Sequence, residues 1–476
     1  MDTDSPLSLL DNTFFKRICQ VLDHREGLYD HLCFSRISAT KALNAMFDAK
    51  KAFVKASILG TAHSRINISF DMWTSPNGKA YIAVVAHFLD RSYKHLNILL
   101  SIRRHKGAYD GEKTSTSIIQ VLDEWGITSR VGATISDNAS ANNTCVDALI
   151  RDIRPDVAPS ERSFFRIRCY GHILNLIAKA FLFGADDEAF LNELEARDLS
   201  EDLSAEERNV LDRWRRTGPV GKLHNIVKFI RASPQRRELL QNIGRMHTDP
   251  AGDTVGLWAE EYMKDADLGL VLNNQTCWNS TYMMIERGIR KKHHIDQFIS
   301  FCETTPAYDA VPSEWHLTAD DWRLLTEIKD ILEPVYYQTK RCEGWGSEGH
   351  HGSLWEILGS MEYLLSHFEK VKEEYSAATD SLMRAREVLA SIPPRRRNRP
   401  PAYQPDHLPV HIRRDYTISG LTARQYTAED LINDHRIYLA ISINLAWKKL
   451  DEYYTNLDES PLYAAALILH PAHNIR

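Results

Sequence analysis

The chain has 476 residues, 43% hydrophobic and 26% charged, and a net charge of −6. A single core stops growing near roughly 250 to 300 residues, so more than one structural unit is expected. The acidic balance excludes a global basic coat for nucleic acid, though not a local basic path, and no apolar run nears the roughly 18 residues of a membrane span.

The first residues, MDTDSPLSLL, lack the basic-then-apolar pattern of a leader, so an intracellular, soluble globular protein is expected. The seven cysteines are scattered and form no CxxC pair, which reads as reduced and mostly buried thiols.

Residues 1 to 60 read as a helical lead-in. Leu9, Leu10, Phe14, Phe15, Ile18 and Leu22 recur at helical spacing, and Ala42 to Leu59 carries Leu43, Met46, Phe47, Phe53 and Val54. From Ile66 the period becomes two. Ile66, Ile68, Phe70 and Met72 share one face; Asn67, Ser69, Asp71 and Trp73 share the other. Turns at Thr74–Gly78 and Asp90–Lys94 separate a second strand, Tyr81 to Leu89, and a third, His95 to Ile102, which alternates through Leu96, Ile98, Leu100 and Ile102. These strands form an antiparallel meander. A helix from about Glu112 to Trp125, stopped by Gly126, leads to a strand Val131 to Ser136 that ends in Asp137. Strand, helix and strand imply a right-handed crossover and a parallel partner, for which the free edge of the first strand is available. Asp71 and Asp137 are then expected on neighbouring strands, about 4.8 Å apart, toward their carboxyl ends.

Phe164 to Cys169 reads as a short fifth strand and Tyr170 to Phe183 as a buried helix. Asp186 to Arg216 reads as a charged helical stretch with a capping box at Ser204 and Glu207. Further helices are expected over Val220 to Ile230, Gln235 to Ile243, Trp278 to Ile289, a run capped by Thr318 and Asp321, and Leu354 to Val371. Ser391 to Ile412, rich in Pro and Arg, reads as an unstructured basic linker. A helix over Leu431 to Tyr454 and a last one begun by Pro461 complete the chain. The fold class is α/β plus all-α: a core spanning 61–169 after the lead-in of 1–60, then a helical region over 170–476.

The sharpest chemical pair is Asp71 with Asp137. Two carboxylates on adjacent strands suit Mg²⁺ or Mn²⁺, and metal ions so held activate an attacking oxygen and stabilise a leaving one. The bland alternative is a solvated strand residue and an ordinary helix cap. Cys169 and His172 have half a zinc spacing without a second pair, so a structural histidine is expected. His293-His294 and His350-His351 read as solvated pairs. Trp278, Asn279 and the polar residues after them suit either a stacking platform for an unpaired base or a core tryptophan. Arg395, Arg396, Arg397 and Arg399 suit phosphate binding or linker solubility equally.

Five blocks, in order over most of residues 9 to 471, resemble the hAT superfamily of DNA transposases, its fungal members in particular. They are SFDMWTSPNGKAYIAVVAHFLD, ISDNASANNTCVDAL, RCYGHILNLIAKAFLFG, CWNSTYMMIERG and YYTNLDESPLYAAALILHP. The resemblance implies an RNase H-like mixed-sheet core interrupted by a large helical insertion. It implies that Asp71 and Asp137 are the first two acids of an Asp-Asp-Glu triad that binds Mg²⁺ or Mn²⁺. Trp73, Trp278, Asn279, Cys169 and His172 become DNA-contacting positions. The partner implied is DNA at transposon ends, cut and joined in the nucleus by a homo-oligomer. Cys277 stands where the family usually has an arginine. A BED-type zinc finger, the catalytic Glu and the C-terminal dimerisation region have no counterpart among the blocks, and neither Glu333 nor Glu356 replaces the missing acid. The expectations are therefore a chain inactive on its own, with apolar surface left uncovered, or a domesticated DNA- or protein-binding protein that keeps the fold.

Overall fold

The computed structural model describes residues 10–22, 35–75, 77–105, 110–183, 218–246, 268–273, 278–342, 353–378 and 433–470. The expected helix over Asp186–Arg216, the His350-His351 pair and the linker over 391–412 lie outside them. The chain divides into two compact units, Met1–Ile167 and Arg168–Arg476.

The first unit begins with helices α1 (Thr13–Leu22) and α2 (Arg36–Phe53). Strands β1 (Ile66–Thr74), β2 (Ala80–Leu89) and β3 (His95–Arg104) follow. Helix α3 (Gly111–Trp125) leads into β4 (Val131–Ser136), and α4 (Ser140–Ile153) precedes the short β5 (Arg166–Arg168). The sheet order is β3-β2-β1-β4-β5. The meander is antiparallel and β4 runs parallel to β1, as the crossover argument requires.

The alternation in β1 does what its sequence dictates. Ile66, Ile68 and Phe70 are buried with Ile82, Val84, Ala86 and Phe88 of β2. Helices α3 and α4 cover this face through Ile118, Val121, Leu122, Val146, Leu149 and Ile150. Gly126 ends α3 in the left-handed region (φ 68°), a conformation glycine adopts without steric cost. Cys145 and Cys302 are buried free thiols, and burial pushes the Cys145 thiol up to about 12.

The third strand departs from its pattern. Val84 pairs with Ser101 while Val85 pairs with Leu99, so Leu100 is a bulge without a partner. One extra residue reverses the parity of everything after it. Ile102, expected in the core, lies on the other face at 56% exposure. The carbonyl of Leu100 accepts the indole N–H of buried Trp125 at 3.0 Å, so the irregular residue is satisfied from the covering helix.

The second unit is helical. Its described helices are α5 (Tyr170–Phe183), α6 (Pro219–Arg231), α7 (Pro234–Met246), α8 (Trp278–Arg290), α9 (Lys292–Thr304), α10 (Ala319–Cys342), α11 (Leu354–Ala378), α12 (Asn433–Leu457) and α13 (Leu462–Ile468). Ile173, Ile177 and Phe181 of α5 and Leu439, Ile443 and Leu450 of α12 are fully buried in helices that pack together. The reciprocal cap expected for α10 is present: Thr318 N–H donates to Asp321 and Asp321 N–H to Thr318, at 2.9 and 3.1 Å. His294 is a correction. It is 1% exposed on the inner face of α9 rather than solvated, because the helix resumes immediately after Lys291.

Candidate functional site

Ser69 pairs with Ile135 across the parallel β1–β4 contact. Asp71 lies two residues beyond Ser69 on β1, and Asp137, the first residue past β4, two beyond Ile135. Neighbouring strands stand about 4.8 Å apart, so the two backbones meet at one rim of the sheet. Asp71 belongs to the face opposite the core and is exposed.

Asp137 is held by its own turn. Its Oδ1 accepts the backbone N–H of Ala139 at 3.1 Å and a short hydrogen bond from the Asn142 side-chain amide. Ala139, not Asp137, is the cap residue of α4. The guanidinium of Arg166 donates to the Asp137 backbone carbonyl at 3.0 Å and is itself buried. One carboxylate oxygen is thus anchored, while Oδ2 has no hydrogen-bond donor among the described residues. Carboxylate oxygens are the kind of donor a hard divalent cation takes, and the Asp137 carboxylate is held in one orientation. Among the described residues no His, Cys, Asp or Glu joins them to make a group of three. Sequence reasoning missed Asn142 and Arg166, whose contacts depend on the turn after β4 and on the β4–β5 pairing.

The open face of the sheet mixes apolar with polar and aromatic groups: Asp71 pairs with Ala83 and Ala83 with exposed Ile102. His87 bridges Ser69 (2.7 Å) and Asn97 (2.8 Å) across three strands. Trp73 stacks on its cross-strand partner Tyr81, with centroids 5.7 Å apart and planes at 23°. Of the DNA-contact candidates, Trp73 is 39% exposed.

The others lie in the second unit. Cys169 and His172 open α5 and are partly buried. The Arg168 backbone N–H donates to the Tyr463 hydroxyl at 2.8 Å, and its guanidinium pairs with Glu459 at 2.8 Å. Two blocks at opposite ends of this unit therefore meet at the entrance of α5. Trp278 is 2% exposed, edge-on to Tyr282 (6.1 Å) and Tyr336 (6.3 Å), which stack on one another at 4.3 Å. Its indole N–H is buried with no hydrogen-bond partner among the described residues. The ring is enclosed here rather than offered as an open platform. Asn279 is buried beside it. Glu356 is held by Arg341 at 2.8 Å, a structural ion pair.

Comparison with known proteins agrees with this architecture. Residues 69–160 match the family model of the ZBED1 RNase-like domain, and residues 167–331 that of the ZBED1 RNase-like helical domain. A putative transcriptional regulator, tpeD, of Talaromyces stipitatus is 25% identical over 322 residues, covering 67% of this chain and 34% of that protein. The putative AC transposase of Zea mays is 25% identical over 305 residues, 63% of this chain and 32% of its own. DAYSLEEPER of Arabidopsis thaliana, a zinc finger BED domain-containing protein, is 21% identical over 346 residues, 72% and 41% respectively. The matches to the first two span about a third of those relatives. An RNase H-like sheet followed by a helical region, with these relatives, makes the chain a member of the hAT family of transposase-like proteins.

Proposed function

We propose that the rim at Asp71 and Asp137 binds a divalent cation and the sugar-phosphate backbone of DNA, and that this chain alone holds DNA without cutting it. The observation that supports this reading is the parallel β1–β4 register, in which Ser69 pairs with Ile135, each two residues before one of the acids. Mg²⁺ or Mn²⁺ suits such oxygen donors. Held by these two carboxylates, such an ion would neutralise phosphate charge. The protein's own part is positional. Asn142 and the Ala139 N–H fix one oxygen of Asp137, and Arg166 fixes the backbone that carries it. Two acids without a third among the described residues support weak metal binding and no strand cleavage. The DNA would be transposon-end sequence and the location nuclear. Trp278, Asn279, Cys169 and His172 are the proposed contacts of the second unit, Trp278 after its aromatic cluster opens. A domesticated DNA- or protein-binding protein that keeps the fold without cutting is the second reading; the Talaromyces relative is named a putative transcriptional regulator.

Calorimetric titration with Mn²⁺ and nicking of supercoiled plasmid test the proposal. Binding is expected in the wild type and lost in Asp71→Ala and in Asp137→Ala, with no nicking in any of them. Mn²⁺ binding indifferent to both substitutions would sink the reading. Nicking abolished by Asp71→Ala would replace it with that of an active nuclease.

A further inference from the structure

The register carries more than the acid pair. Trp73 is paired with Tyr81, and Tyr81 with Arg104, so the three lie in one row across β1, β2 and β3. Cross-strand partners share a face of the sheet, and this is the open face, the one that carries Asp71 two residues before Trp73. Trp73 and Tyr81 are stacked. Arg104 is exposed and has no ion-pair partner among the described residues.

Its neighbour gives the contrast. Arg103 turns to the core face, where it meets Glu124 of α3 and donates to Ser101 at 3.0 Å. Glu124, gripped first by Arg103 and then by Lys51, is held below the usual carboxylate range. One arginine is neutralised by the fold; the next is directed outward in line with two aromatic rings. Cross-strand stacking alone accounts for Trp73 and Tyr81. It gives no reason for an exposed guanidinium, without an ion-pair partner among the described residues, at the end of their row.

We infer that an unpaired DNA strand crosses the open face along the row Trp73–Tyr81–Arg104, leaving the acid pair with a base against the aromatic rings and a phosphate at Arg104. Aromatic faces read unpaired bases, because every base offers a π-face once it leaves the duplex stack. A guanidinium grips phosphate with two parallel hydrogen bonds. The chain is acidic overall, so a strand is held by such a local path rather than by the general field. The inference rests on the reading of Asp71 and Asp137 as a DNA-handling pair, since that pair gives the row its starting point.

The test is fluorescence anisotropy of a labelled oligothymidylate with the full chain, across a salt series, beside the Mn²⁺ titration above. Arg104→Ala is expected to reduce the slope of log affinity against log salt by about 0.7, one phosphate contact on a single strand, and Arg104→Lys to restore it. Tyr81→Ala and Trp73→Ala are expected to weaken binding roughly 5- to 100-fold at unchanged slope. Because these rings also brace the sheet, melting temperatures are measured alongside, and Tyr81→Phe, which keeps the ring, is expected to bind as the wild type does. Affinity and slope unmoved by both Arg104→Ala and Tyr81→Ala overturn the inference. So does a blunt duplex that binds as tightly as the single strand. If Mn²⁺ binding depends on Asp71 and Asp137 while the oligonucleotide ignores the row, the inference alone falls. If the reverse holds, the row stands as a DNA surface and the metal reading falls. A chain that binds neither overturns both.

Discussion

The two oxygens of the Asp137 carboxylate differ. Oδ1 closes the turn into α4, and Oδ2 accepts no hydrogen bond among the described residues. Asn142→Ala removes one of the two donors on Oδ1. Partners that orient a metal ligand are worth about 10- to 100-fold in metal affinity, so Mn²⁺ affinity is expected to fall about 10-fold by calorimetry. The thermal midpoint should drop only by the equivalent of about 1 kcal/mol, one net hydrogen bond. Unchanged affinity would mean that the turn holds Asp137 without help. In the sequence the two strands that lead to the aspartates were legible, because strict alternation in β1 and the strand-helix-strand order leave little freedom for their pairing. Asn142 and Arg166 were not. A side chain reaching back five positions, or across from a three-residue strand, leaves no periodic trace.

At the scale of elements, legibility followed periodicity. The strand Val131–Ser136 and the helix Tyr170–Phe183 have the bounds their patterns predict. Helix α9 was not singled out, since His293 and His294 near its start read as a solvated pair although its inner face buries Ile295, Phe298 and Cys302. The bulge in β3 is the deeper failure. Leu96, Ile98, Leu100 and Ile102 make an unbroken alternation, and only the tertiary contact between Trp125 and the Leu100 carbonyl accompanies the break. Trp125→Phe keeps most of the apolar volume and deletes the donor. A buried carbonyl left without a donor costs about 1–3 kcal/mol, which thermal melting should register. Faster amide exchange at Ser101 and Ile102 is expected with it. A melt identical to the wild type would show that the bulge needs no clasp.

At the scale of the whole molecule, apolar side chains are exposed on the two N-terminal helices, a place the sequence did not single out for exposure. Helix α2 is tied to the sheet unit at its C-terminal end, where Lys51 pairs with Glu124 at 3.2 Å and Lys55 donates to the Glu124 carbonyl at 3.2 Å. Before that, only Ala39 is buried. Met46 and Phe47 are 68% and 59% exposed, and Phe14 of α1 78%. Isolated apolar side chains are ordinary on a surface, but a helix with so little packing draws little stability from its surroundings. Concentration-dependent association is therefore expected in sedimentation velocity, reduced by the double substitution Met46→Glu with Phe47→Lys. A monomer at all concentrations, before and after substitution, would count against it. Among the described residues no helix is long and apolar enough to cross a membrane.

The surplus residue in β3 has one further effect. Suppose the ladder ran straight, with Leu100 opposite Val84: Ile102 would join the interior, Arg103 would stand beside Tyr81, and Arg104 would turn toward the helices. Glu124 would lose the arginine it now grips, and the outer surface would present a different cation, one step displaced. Which of two consecutive, chemically identical side chains meets solvent is thus decided by odd or even counting along one strand, a matter on which amino-acid composition is silent.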